Sequence, residues 1–245
     1  MKTLVEIKPW VSALAAGQGA AYADDELYFD WTAFKVPKGC WELIQFHYLA
    51  RPSGLTGHAV NDMKSDFYFA KPSLDGSAPT SLGTVNAALA TPGVSSAVNL
   101  YGNLISRYLQ ASQAAVATSD STTIVHSSVS TKDPFFLCDN GLTEAGYDTY
   151  YVAAITGGAN DHRSGLLVNN GSLTTDKITV DGVDPRDFLV IGDEIVTEDN
   201  AEIGTIKAMP DANTILLEKA TKTTLENDHK IFPKNPITIR LFLEN

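Results

Sequence analysis

The sequence predicts a mainly β protein: an antiparallel β-sandwich-like domain with long loops and one helix, joined to a small SH3-like β-barrel module. Three observations lead there. Aromatic and β-branched residues alternate with polar ones through most of residues 2–71, the period that turns one face of a strand to a core. The composition then steps at residue 172 into short apolar runs separated by Gly, Asp and Asn, the rhythm of a small barrel. The last segment, PITIRLFLEN, alternates again. With 245 residues there is room for one large domain or two smaller ones, and the division read here is a β domain over 1–171 and a barrel over 172–234.

Taken in order, Lys2 to Trp10 sets Val5 and Ile7 against Glu6 and Lys8, and ELYFDWTAFKV, WELIQFHYL and DFYFA follow as strands bounded by PKG at 37–39 and RPSG at 51–54. Residues 72–131 differ. They carry three charged side chains, Asp75, Arg107 and Asp120, amid Ala, Ser, Thr and Gly, and are read as an uncharged arm region suited to covering a partner. Within it Val98, Tyr101, Ile105, Tyr108 and Ser112 fall on one helical face, although Val98, Leu100, Leu104 and Tyr108 also fit period two; a helix is expected over 95–116, flanked by the long loops PSLDGSAPTSLG and ATSDSTTIVHSSVS. Strands resume at Phe135 to Cys138 and Thr149 to Ile155. KITVDGV, FLVIGDEIV, IGTIKAM, NTILLEKA and HKIFPKN supply five barrel strands. The final strand, 236–244, is expected to leave the barrel and complete the first domain's sheet.

A net charge of −11 with singly scattered Lys and Arg disfavours a nucleic-acid groove or a cationic membrane helix, and no apolar run approaches the length of a bilayer span. A basic residue and an Ala-rich stretch lie near the amino end, but Glu6, Lys8 and Pro9 interrupt any hydrophobic region of signal-peptide length, so the chain reads as made without a secretion signal. Cys40 and Cys138 lie far apart without CxxC spacing or nearby His. They read as buried reduced thiols, with a cross-strand disulfide as the alternative.

No catalytic, cofactor-binding or metal-binding residues emerge. His47, His58, His126, His162 and His229 show neither HxH nor HExxH spacing. Asn160, Asp161, His162 and Arg163 gather an acid, an imidazole and a guanidinium in a Gly-flanked loop, the most enzyme-like cluster present, yet no GxSxG nucleophile accompanies it. The carboxylates at 24–26, at 181, 184 and 187, and at 193–194 sit in turn contexts without an EF-hand pattern. Gly17, Gly19, Gly157 and Gly158 lack a phosphate-loop setting. Trp10, Trp31 and Trp41 fall in strand-like stretches and are expected in the core. The chain is therefore expected not to be an enzyme and to need no cofactor.

At IGDEIVT (191–197), EIGTI (202–206), NTILLE (213–218) and HKIF (229–232) the chain resembles small β modules of tailed-bacteriophage virion proteins, and the opening LVEIKPW is similar to the start of such proteins. The resemblance implies a virion structural protein, of the head decoration or cement type, made in the host cytoplasm and binding the major capsid protein or other virion proteins on the outside of the shell. It implies a homo-oligomer as well, with a trimer favoured, and no direct contact with nucleic acid or membrane. A tail, neck or baseplate role, or a carbohydrate- or receptor-binding module, is the alternative.

Overall fold

In a computed structural model the described residues are 1–14, 17–56, 65–73, 75–89, 105–109, 115–117, 123–130, 136–138, 140–158, 160–169 and 175–245. Strands are numbered in chain order. One sheet runs β1 (Lys2–Ile7), β16 (Ile237–Glu244), β3 (Cys40–Ala50), β7 (Thr123–Ser130) and β6 (Ala115–Ala117), with β8 (Phe136–Cys138) beside the first residues of β3. The facing sheet runs β2 (Leu27–Pro37), β9 (Tyr147–Thr156), β4 (Ser65–Ala70) and β5 (Ile105–Leu109). All these pairings are antiparallel. If β1, β2, β3, β4, β5, β7, β9 and β16 are counted first to eighth, the sheets read first-eighth-third-sixth and second-seventh-fourth-fifth. That strand order is the jelly roll, two interlocked Greek keys.

The inward phase of each strand fills the space between the sheets. Trp41, Leu43, Phe46 and Tyr48 of β3, with Ile237, Ile239, Leu241 and Leu243 of β16, meet Phe67 and Phe69 of β4 and Tyr150 and Val152 of β9 in one buried cluster. Phe46 and Tyr48 lie 4.9 and 5.1 Å from the Phe67 ring, tilted and edge-on, geometries that favour aromatic pairs beyond simple area burial.

Between β9 and β16 the chain builds the second body, a nearly closed sheet of β10 (Leu167–Val168), β11 (Lys177–Asp181), β14 (Thr214–Leu217), β13 (Glu202–Asp211), β12 (Glu194–Thr197) and β15 (Ile231–Pro233). Ile231 N donates to Leu166 O and Val168 N to His229 O, which brings the last strand back to the first. The sheet encloses its own core, including Leu166, Ile178, Val180, Ile195, Ile203 and Ile215. It has six strands where five apolar runs were read, because β10 is two residues long and precedes residue 172.

Contacts among the described residues seat the barrel on the jelly roll. Ala13 packs with Val196 and Phe232. Asn200 accepts from Ala13 N and donates to Ser12 Oγ. A close approach at Gly54, where a Cβ would come within 2.8 Å of the Phe188 ring, adds to these.

Several expectations are corrected. Residues 105–109 and 115–117 are strands, so the helix over 95–116 is absent there, and the rest of that span lies outside the described residues. Tyr108 fits a helical set with Ile105 and a period-two set with Leu104, and pairing with the edge of β4 decides for strand. The only helical turn among the described residues is the 3₁₀ segment Pro185–Asp187. Thr123–Ser130, read as loop, is β7: its Ser and Thr content suggested a turn, but alternate β-branched residues suit a strand. Segment 72–131 thus supplies strands to both sheets as well as loops. Cys40 and Cys138 are not reduced buried thiols. They oppose each other on β3 and β8 with Cα atoms 4.1 Å apart and form a disulfide at the surface.

Candidate functional site

The 160–163 loop leaves β9 and crosses to the amino-terminal segment, where Tyr22 N donates to Asn160 O at 2.7 Å. Its side chains then part. His162 turns inward and is buried; its Nε2 lies 2.6 Å from Tyr28 Oη, with the rings stacked. Burial pulls the imidazole pKa down to about 4, against the opposing pull of Asp161 and of a bond to the Arg51 backbone, so the ring is neutral at pH 7 and accepts the Tyr28 proton. Asp161 and Arg163 turn outward and bind each other at 2.8–3.2 Å. The acid and the imidazole that adjoin in sequence face opposite sides of the chain. What the loop does is lock β2 to the segment before it.

The other carboxylates serve turns and ion pairs. Asp184 caps the 3₁₀ turn through Arg186 N and pairs with the Arg186 guanidinium. Glu26 accepts from Ala23 N. Asp193 accepts from Val190 N and from Arg51. Among the described residues no group of three His, Cys, Asp or Glu is placed to hold a metal ion.

A cleft of about 480 Å³ opens where the barrel meets the first sheet, lined by Glu6, Lys8, Arg51, Asp193, Thr238 and Arg240 among others. Its charges are matched: Arg51 with Asp193 at 2.6 Å, Glu6 with Arg240 at 2.8 Å and with Lys8 at 3.4 Å, and Glu194 with Lys234 at 2.7 Å. Cations and anions so paired leave no net field to collect a charged ligand.

The outer face of the first sheet is different. Leu4 is 53% exposed, Ile44 41% and Phe136 48%. Leu4 stands in register with Phe242, whose ring lies 4.6 Å from His47. Leu4 and Phe242 thus adjoin across β1 and β16 on a face where alternation would place only polar residues, and Ile44 and Phe136 expose apolar side chains on β3 and β8, while Gln45 is the β3 residue opposite Phe242. Scattered exposed apolar residues are ordinary; the adjoining pair Leu4 and Phe242 is what marks this face as a candidate contact surface. Trp41 is buried as expected, whereas Trp10 is 54% exposed, which corrects its assignment to the core. Half-buried Trp31 donates its indole N–H to Thr80 O.

Neither the models of known protein families nor the curated proteins include a match to this chain. One signal for the outer face was present in the sequence: Phe242 interrupts the polar phase Thr238, Arg240, Glu244 of β16.

Proposed function

We propose that this protein is a structural component of a bacteriophage particle, a head decoration or cement protein that works by binding the major capsid protein or other virion proteins and not by catalysis. The observation that carries the reading is the eight-strand jelly roll with a barrel inserted before its last strand. Jelly rolls serve viral shells as well as lectins and cupins, so the fold supports the reading by analogy only. The burial of His162 away from the Asp161–Arg163 pair and the exposed apolar residues of the outer face favour assembly over chemistry. The acidic barrel suits a solvent-facing position, while the outer sheet face offers a contact.

The test is to incubate the purified chain with shells assembled without it and to measure co-sedimentation. Saturable binding at a stoichiometry fixed by shell symmetry is expected. No binding to shells, together with specific binding on a glycan array, would overturn the proposal in favour of a carbohydrate-binding module.

A further inference from the structure

We propose that two copies of this chain join edge to edge through β1, antiparallel about a two-fold axis at Leu4, so that their first sheets merge into one. This does not depend on the role proposed above.

β1 is the end strand of its sheet, and its strand partner among the described residues is β16. The direction in which its backbone points follows from one pair. Asn245 N donates to Met1 O at 2.8 Å and Met1 N to Asn245 O at 2.5 Å. In an antiparallel ladder, residues that exchange both bonds alternate with residues whose N–H and C=O turn to the other side. Thr3, Val5 and Ile7 therefore point at β16, and Lys2, Leu4 and Glu6 present their backbone groups outward. Below them, β1 and Thr32–Pro37 of β2 border a groove of about 510 Å³.

An antiparallel partner must bond those same three residues, which restricts the register to even sums of the paired numbers. A sum of six would set Lys2 against Leu4 and leave Glu6 out. A sum of ten would set Leu4 against Glu6 and Lys2 against Lys8. A sum of eight sets Lys2 against Glu6 of the partner subunit, Leu4 against Leu4 of the partner subunit, and Glu6 against Lys2 of the partner subunit. That register alone matches opposite charges, pairs the exposed leucines and engages every outward backbone group. Charged residues on an edge normally deter pairing. Here their alternation makes the edge complementary to itself, with like charges opposed in the sum-of-ten register and no opposite charges matched in the sum-of-six one.

The flanking strands extend the match. Glu6 accepts from Arg240 at 2.8 Å, and Lys2 lies 3.7 Å from Glu244. Across the joint the charges alternate as Arg240, Glu6, Lys2 of the partner subunit and Glu244 of the partner subunit. The middle row becomes Phe242, Leu4 and their two symmetry mates, a continuous apolar stripe. On the inner face Thr3 meets Val5 of the partner subunit, a β-branched pair suited to a sheet. The result is a two-fold dimer, where the sequence resemblance implied a trimer.

Sedimentation velocity of the full chain over a range of concentrations tests this. A monomer–dimer equilibrium is expected. Lys2→Glu and Glu6→Lys should each raise the dissociation constant at least tenfold, because each puts like charges at both ends of the joint. Mixing the two variants should restore pairing as a heterodimer, since each acidic edge then faces a basic one. Leu4→Glu, which touches no ion pair in the monomer, should dissociate the dimer with the melting temperature of the monomer retained. A trimer, a monomer at all concentrations, single variants that associate like the parent, or a mixture that stays monomeric would each overturn the proposal.

Discussion

Arg51 Nη2 stands 2.6 Å from Asp193 Oδ1, an ion pair that crosses from the jelly roll to the barrel. Arg51 Nη1 also donates to Phe188 O at 3.3 Å. Burial pushes the Asp193 pKa up and that of Arg51 down, while each group's charge opposes the shift in the other. The pair is what keeps both ionised in a place that disfavours charge. Arg51→Met should cost about 1.5–3 kcal/mol in urea denaturation and, by loosening the joint, split the calorimetric transition in two.

His162 predicts an acid limb of stability. Its folded pKa, about 4, lies below the 6.5 of the free imidazole. A depressed pKa gives stability that is complete above pH 6.5 and lost as pH falls toward 4, on the order of 3 kcal/mol. Glu202, held down to about 2 by its bonds to Lys222 and Lys234, titrates below this window. Urea midpoints at pH 7, 6 and 5 should fall for the parent, and His162→Gln should flatten the decline. An equal decline in both would assign the acid limb elsewhere.

The Cys40–Cys138 disulfide closes a loop across 98 positions. Constraining an unfolded chain over such a distance stabilises by about 2–4 kcal/mol. Reductant should lower the urea midpoint of the parent accordingly and leave Cys138→Ser unchanged. Mass shift after alkylation under denaturing conditions, with and without reductant, verifies the bond directly.

The barrel should fold when expressed alone as residues 164–236. Its core is drawn entirely from Leu166 to Ile231, and its first and last strands are bonded to each other, so excision leaves two adjacent ends and no missing strand. A cooperative melt with dispersed amide NMR signals is the expected outcome. An unfolded or aggregated fragment would mean that the Ala13 contact with Val196 and Phe232 is needed for folding.

Legibility in the sequence followed the depth of burial. β2, β3, β4 and β16 could be read directly, because each sets one face on a core and alternation records that. β5 could not: Tyr108 satisfies a helical period with Ile105 and a period of two with Leu104, and the partner that decides between them, β4, is distant in sequence. The disulfide escaped because the β3–β8 register that sets Cys40 opposite Cys138 is a property of the winding. The loop 160–163 showed its residue types but not their directions, so His162 looked available when it is interior. The apposition of Leu4 and Phe242, which underlies the candidate contact surface, needed both β1 and β16 placed side by side, though Phe242 already broke the polar phase.

β16 lies between β1 and β3, bonded to both. A ribosome must therefore release β1 and then make the whole barrel before the strand that joins β1 to its sheet exists. Until then the first sheet lacks its middle, and β1 waits with two open sides while Leu43, Phe46 and Tyr48 of β3 have only part of their packing. Such long-range pairing is slow to form and exposes sticky intermediates. The nascent chain would thus hold a self-complementary strand in its most exposed state, and copies emerging from neighbouring ribosomes could meet through it before either has closed.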